Sequence, residues 1–192
     1  FQMDWGSWEI EHPSGWPHPR PYQVDELPSI SGLRKVTNRL GNWIEFFCDE
    51  PDGTRARYVI EMSHDAPWIE FRVEWQEGVD PRPRSTYVVF PFALGANQPR
   101  VDVGGVPMRP GIDQLPGVNH DYFTAQDYVD LAGERSGVTI ATAFNPLVMF
   151  GDFHFVDAAT EFPARPATFL GMITNNYWQC NYDPVQPGRV VA

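Results

Sequence analysis

The clearest pattern in the chain is a strict alternation of apolar and charged residues from Trp68 to Trp75. The apolar set is Ile69, Phe71, Val73 and Trp75, and the charged set between them is Glu70, Arg72 and Glu74. Successive side chains of a β-strand point to opposite faces of a sheet. The segment is therefore predicted to be a strand with one face in a core and the other in water.

Similar short runs of β-branched and aromatic residues recur between turn-forming residues along most of the chain. The predicted strands are 42–48, 57–62, 68–75, 86–92, 100–103, 128–131, 138–142, 147–150 and 169–174. Asp52-Gly53, between the first two, is typical of a hairpin turn and makes those strands antiparallel neighbours. No long amphipathic helical pattern occurs. We therefore predict an all-β fold with little helix, an antiparallel β-sandwich or barrel.

The chain from 5 to 28 has a different character, because it is rich in Pro, Trp and His without a sustained period. We predict an irregular N-terminal arm over residues 3–32, with at most one short strand, followed by a β-sandwich domain over residues 33–192. The two are expected to form one structural unit, since no linker or internal repeat divides the chain. Phe1 and Gln2, ahead of Met3, are interpreted as the remnant of a protease-cleavage tag.

Composition narrows the possible partners. The 192 residues are 42% apolar, 14% aromatic and 20% charged, which is typical of a globular protein. The formal net charge of -11, with Lys35 as the only lysine, argues against sequence-independent binding to the phosphates of nucleic acids. No apolar run is long enough to span a bilayer. We expect a soluble protein without nucleic-acid or membrane partners; the compartment stays open, with the cytoplasm favoured.

The two cysteines, Cys48 and Cys180, lie far apart in the sequence and in no spacing typical of zinc or redox sites. They are either two thiols or one disulfide. Burial as small apolar groups is the favoured interpretation, because a domain of this size folds without a bridge.

Three histidine–carboxylate pairs are candidate metal ligands, namely His64-Asp65, His120-Asp121 and Asp152 with His154. None has a recognised metal spacing. Asp152 and His154 would share a strand face, but an ordinary polar face or a hydrogen-bonded histidine is the favoured interpretation. The chain also has no Gly-x-Ser-x-Gly motif and no glycine-rich phosphate fingerprint. We predict no metal, no nucleotide cofactor and no serine-hydrolase chemistry.

A glycosidase needs two carboxyl groups roughly 5 to 9.5 Å apart across the sugar. Asp121, Asp127 and Asp130 lie close together in the sequence and are candidates for such a pair. Acidic residues are mostly exposed, however, and in an acidic protein they usually belong to solvated faces or turns. Independent catalysis is therefore the less favoured alternative.

The segment 175–183 combines aromatic rings, which pack on the C–H faces of sugars, with amide and carboxyl groups, which bind hydroxyls. Its sequence is Asn175-Asn176-Tyr177-Trp178-Gln179-Cys180-Asn181-Tyr182-Asp183. From this chemistry alone, a core strand whose rings fill space is favoured over a binding site.

The same segment resembles the NNYWxxNY stretch in the C-terminal β-region of bacterial family 38 glycoside hydrolases, the α-mannosidase-like enzymes. Further stretches resemble that family in the same order: the alternating strand with YVVFPF at 87–92, then AQDYVDL at 125–131, GVTI at 137–140 and PLVMFGD at 146–152. The resemblance covers most of the chain from about Leu33 onward. It implies a galactose-mutarotase-like supersandwich behind a separate catalytic α/β domain, in enzymes that cleave α-mannosides by a retaining, zinc-assisted mechanism.

The resemblance further implies that the chain is not catalytic alone. The family's zinc and its aspartate nucleophile belong to the catalytic domain, which carries a His-x-Asp element that this chain lacks. We therefore predict no catalytic residue and no cofactor here, and a carbohydrate together with the catalytic domain or subunit as partners. The family pattern continues past the NNYW strand, so a fragment or a naturally shortened protein is expected.

By motif, the predicted sugar-binding residues are Asn175, Asn176, Tyr177 and Trp178, with Arg109 and Asp130 as further candidates. A surface arginine and a strand-end cap are the alternative interpretations of Arg109 and Asp130. The leading hypothesis is a domain that frames or completes a carbohydrate site built mainly elsewhere. A stand-alone lectin-like module is the first alternative.

Overall fold

The structure is a computed structural model that describes residues 2–4, 23–25, 30–50, 53–78, 84–95, 97–142, 145–151, 162, 167–175 and 189–191. Within these residues every regular element is a β-strand and no helix occurs. The predicted all-β fold is therefore confirmed. No helix in this part of the chain is long and apolar enough to cross a membrane.

The strands in the described ranges follow one another as β1 (Gln2–Asp4), β2 (Gln23–Asp25), β3 (Ile30–Thr37), β4 (Gly41–Asp49), β5 (Arg55–Ser63), β6 (Ile69–Gln76), β7 (Arg84–Pro91), β8 (Asn97–Val103), β9 (Val106–Met108), β10 (Phe123–Thr124), β11 (Tyr128–Gly133), β12 (Gly137–Ala141), β13 (Leu147–Phe150), β14 (Thr168–Asn175) and β15 (Arg189–Val191). They form three sheets, with the orders β10-β13-β14-β7-β1-β2, β12-β11-β8-β9 and β15-β6-β5-β4-β3. Each pairing with a defined register is antiparallel.

The chain divides into two compact units. Unit 1 takes its described residues from Phe1–Asp4, Val24–Ser85 and Asn175–Ala192, and unit 2 from Trp5–Gln23 and Thr86–Thr174. The predicted organisation, an arm over 3–32 and one sandwich over 33–192, stays a prediction.

Unit 1 is built on the five-stranded antiparallel sheet. The predicted hairpin joins β4 and β5 in the register Asp49↔Arg55, and Gly53 turns the chain with a φ of +90°. On β6 the predicted alternation is correct for Val73 and Trp75, which are 2% and 1% exposed. Ile69, at the start of the same strand, is 65% exposed, so the core covers only part of this face.

Unit 2 is an antiparallel β-sandwich, because strands of two sheets share one apolar core. The core residues are Val101, Phe123, Ala125, Val129, Leu131, Val148, Phe150, Ala167 and Phe169. Val101, Val129 and Leu131 come from the four-stranded sheet, whereas Phe150 and Phe169 come from β13 and β14. Alternation along the strands therefore directs the intervening residues of the four-stranded sheet to its outer face.

Candidate functional site

The segment predicted to bind sugar begins where β14 ends, at Asn175. The Ser85 hydroxyl donates a hydrogen bond to Asn175 Oδ1 over 2.8 Å, and Ser85 is 2% exposed. A buried hydroxyl thus fixes the orientation of the first amide of this segment. The other predicted members, Asn176, Tyr177 and Trp178, lie outside the described residues.

Arg109 directly follows β9 and is hydrogen-bonded to Asp113, four residues later, in a contact that we call the clamp. Its backbone N–H and its Nε donate to Asp113 Oδ2 over 2.8 and 3.0 Å, and its Nη2 lies 2.7 Å from Oδ1. Such a bidentate arrangement is among the stronger side-chain hydrogen bonds of proteins. In this structure Arg109 holds a turn, and its predicted role in sugar binding stays a prediction.

The clamp changes how Asp113 titrates. Hydrogen bonds from the Arg109 side chain and then from its backbone N–H lower the pKa of Asp113 from 3.8 to about 2. The native state therefore binds a proton at Asp113 less tightly than the unfolded chain does. The interaction with Arg109 adds to the free energy of unfolding above a pH of about 4, and this contribution is lost as the pH falls towards 2.

We predict that an NMR titration of the Asp113 carboxyl carbon gives a midpoint near 2 in the native protein. Arg109→Met removes the side-chain donors and is expected to move the midpoint up towards 3.8. A native midpoint already at the ordinary value would show that the clamp does not form in solution.

The clamped turn positions His120. The Gly111 N–H donates to Gln114 Oε1 over 3.0 Å, and His120 Nδ1 lies 2.8 Å from the same oxygen. Because the backbone N–H is a donor, Gln114 Oε1 is the acceptor in both contacts, which places a hydrogen on His120 Nδ1. His120 is 7% exposed, so this turn supports a buried imidazole through its Nδ1.

Two phenols lie next in this polar region of unit 2. The hydroxyls of Tyr87 and Tyr122 are 3.1 Å apart. Burial, and then the neighbouring Tyr87, raise the pKa of Tyr122. Asp121, between His120 and Tyr122 in the sequence, is 6% exposed. Sequence reasoning singled out the His120-Asp121 pair but not its companions, because nothing in the sequence links Tyr87 or Gln114 to it.

Asp130 lies within β11, so it is not a strand-end cap. It pairs across the four-stranded sheet with Thr139 of β12 and with Arg100 of β8. The Thr139 hydroxyl donates to Asp130 Oδ1 over 3.0 Å, and Arg100 Nη1 lies 3.6 Å from Oδ2. These contacts form a polar row across three strands on the outer face of the sheet.

The three carboxylates weighed for catalysis have different surroundings. Asp121 is buried beside Tyr122, Asp127 is exposed ahead of β11, and Asp130 is held by Arg100 and Thr139. Independent catalysis by a pair of them stays a prediction. Among the described residues no group of three or more His, Cys, Asp or Glu could hold a metal ion, and Asp152 and His154 lie outside these residues.

Cys48 is a buried free thiol, whose pKa is raised by burial and then by Asp49 and Glu50. Cys180 lies outside the described residues.

Asp102 breaks the rule that buried polar groups are hydrogen-bonded. It is 2% exposed, and its Oδ1 has no partner among the residues that the structure describes. Alternation with the core residue Val101 places Asp102 on the outer face of β8, the face that carries Arg100. A carboxylate buried in this way is costly unless a donor or a cation reaches it.

We predict that Asp102→Asn raises the free energy of unfolding by about 1 kcal/mol, because a neutral group of the same shape avoids the cost of burying charge. The same substitution at Asp130 is the control, and it is expected to lower stability slightly because it weakens the contact with Arg100. Chemical denaturation checks both. Destabilisation by Asp102→Asn would mean that the native carboxylate has a donor or cation after all.

The predicted site residues thus fall in two places. Asn175 belongs to unit 1, whereas Arg109 and Asp130 belong to unit 2. The last paired residues of β8 and β9 on this side are Val101 and Met108. If the pairing continued by one residue, Arg109 would lie opposite Arg100.

The chain was compared with models of protein families, with curated proteins and with solved structures, and none of these matches it. The resemblance to family 38 glycoside hydrolases and the galactose-mutarotase-like assignment therefore stay predictions.

Proposed function

We propose that this chain is a non-catalytic β-sandwich domain of an α-mannosidase-like glycoside hydrolase. In this role it frames or completes a carbohydrate site that is formed mainly by a separate catalytic domain. The chain itself would hold no zinc, which belongs to the catalytic domain in that family.

Two features of the fold support this proposal. The chain is all-β and antiparallel, as the resemblance implies. The resembling stretches at 125–131, 137–140 and 146–152 contribute to β11, β12 and β13 of unit 2 in the same order. The strands formed by these stretches are therefore compatible with an accessory domain of the expected type.

The observation that carries the proposal is the fixed amide of Asn175 at the start of the NNYW segment. Amide side chains are among the groups that form hydrogen bonds with sugar hydroxyls. Because Ser85 already orients the Asn175 amide, less conformational entropy is lost when a ligand binds. The rings of Tyr177 and Trp178 would add apolar contact with the C–H face of the sugar.

A framing domain supplies only part of a site, so its affinity for a free sugar should be weak. We expect dissociation constants in the range of about 1 mM or higher for a simple α-mannoside. Micromolar or tighter binding of an oligosaccharide would instead favour a stand-alone lectin-like module.

The proposal is tested by saturation-transfer NMR with methyl α-mannoside and short α-linked manno-oligosaccharides. Trp178→Ala is expected to abolish most of the transfer, and Ser85→Ala to weaken it by releasing the Asn175 amide. Trp68→Ala is the matched control, because Trp68 is 66% exposed in the turn before β6. Equal transfer in the native protein and in folded Trp178→Ala would contradict the proposal for this segment.

A further inference from the structure

The outer face of the four-stranded sheet in unit 2 carries an unusual set of polar side chains. Its inner face supplies Val101, Val129 and Leu131 to the core, so the alternate residues lie outside. The outer set is Arg100 and Asp102 on β8, Tyr128 and Asp130 on β11, and Thr139 on β12. We call this set the β11 face.

Part of the β11 face is open to solvent. The side chains of Arg100 and Asp130 are 53% and 24% exposed. Thr139 is exposed, and so are the small residues Ala132 and Ala141 on the same face. A ligand can therefore approach the Arg100–Asp130–Thr139 row without displacing a large side chain.

The next position along this face holds Asp102, whose Oδ1 has no partner among the described residues. Val129 of β11 pairs with Val101 of β8, and because the strands are antiparallel, Tyr128 and Asp102 flank this pair on the same side. The strand ends are held together here, since the Gln126 N–H donates to the Asp102 carbonyl over 2.8 Å. Departures from local rules, such as a buried carboxylate oxygen without a donor, are concentrated at functional sites.

We propose that the β11 face of unit 2 contacts a neutral pyranoside. The inference rests on the proposed function and names a second contact surface within it. Asp130 accepts a hydrogen bond from one sugar hydroxyl while Arg100 donates to its neighbour, and the half-buried Tyr128 ring packs against the C–H face. Tyr128 and Asp130 are two residues apart on one strand, a separation of about 7 Å.

The charges and the shape of the face favour a sugar over other ligands. Arg100 and Asp130 neutralise one another and Asp102 is buried, so the exposed row offers hydrogen bonds without a net attraction for an ion. Protein interfaces need large apolar or aromatic anchors. The large exposed apolar residues described in unit 2 lie elsewhere, in the β8–β9 hairpin and in the loop that follows it: Val103, Val106, Ile112 and Leu115.

The inference is tested by following backbone amide shifts in two-dimensional NMR spectra while methyl α-mannoside is added to roughly 50 mM, far above the expected weak affinity. Shifts are expected at Arg100, at 128–131 and at Thr139. Asp130→Asn is expected to weaken binding about tenfold, because it removes a hydrogen bond to a charged group. Asp65→Asn, the same change at an exposed carboxylate in the turn between β5 and β6 of unit 1, is expected to leave it unchanged.

If Asp130→Asn does not fold, Thr139→Val provides a second test. The Thr139→Val substitution removes the hydrogen bond that the Thr139 hydroxyl donates to Asp130. Under this inference Thr139→Val changes the affinity, while the shifts stay on the β11 face. Shifts confined to the segment from Asn175 to Trp178 would overturn this inference and leave the proposed function standing. An absence of shifts throughout the chain would overturn both.

Discussion

Leu131→Ala is expected to lower the free energy of unfolding by about 2–5 kcal/mol, as large-to-small changes in a packed core do. Leu131 is 0% exposed and lies in the core that joins the two sheets of unit 2. The loss combines the transfer of apolar surface back to water with the cavity left behind. Chemical denaturation followed by circular dichroism measures it.

Leu115→Ala is the matched control for this prediction. Leu115 is 77% exposed in the loop before His120, and the same atoms are removed. Its effect is expected to stay within about 0.5 kcal/mol, as for most surface substitutions. Comparable losses at both positions would show that Leu131 does not lie in a packed core and would undermine the sandwich in unit 2.

Gly111→Ala is expected to destabilise the protein by about 2–5 kcal/mol, through two causes that act together. The residue has a φ of +76°, which favours glycine, and an added Cβ would lie 2.6 Å from the Cβ of Phe162. The clash would also move the turn that carries Gln114, and with it the support of His120. Thermal and chemical denaturation give the magnitude.

Gly117→Ala separates the two causes. Gly117 has a similar φ of +80°, but nothing lies within 4 Å of an added Cβ. The left-handed conformation alone is expected to cost about 1–2 kcal/mol there. If the two substitutions destabilised the protein equally, the close contact between Gly111 and Phe162 would be absent in solution.

Much of the fold could be predicted from periodicity. Strands such as β6, β11 and β13 show runs of apolar and β-branched residues, and the structure places them within one or two residues of the predicted bounds. β3 was missed because Ser31-Gly32 interrupts its pattern; Gly32 has a φ of +61° at an irregularity in the pairing with β4. The prediction placed these residues in an irregular arm, whereas β3 begins at Ile30.

β9 was missed for a related reason. It is three residues long and contains Pro107, which is tolerated here because β9 lies at the edge of its sheet. Gly104-Gly105 turns the chain between β8 and β9, with φ values of +64° and +81°. Positive values at both central residues are typical of a type I′ hairpin turn.

The polar sites were less accessible to sequence reasoning. Contacts such as Tyr87 with Tyr122 join residues 35 positions apart, and a single sequence contains nothing that couples them. The β11 face was within reach, however. Asp130 lies between Val129 and Leu131, and Arg100 directly precedes Val101, so alternation alone would have placed both polar residues on the outer face.

Under the proposed function, this chain contacts an α-mannoside without cleaving it. Binding and the absence of cleavage can be tested together. An aryl α-mannoside is incubated with the purified chain, with and without zinc, while NMR follows saturation transfer to the sugar and release of the aryl alcohol. Transfer without release is expected under both conditions. Release that Asp130→Asn abolishes would contradict it by revealing an active site, and the absence of transfer at roughly 50 mM ligand would contradict carbohydrate binding.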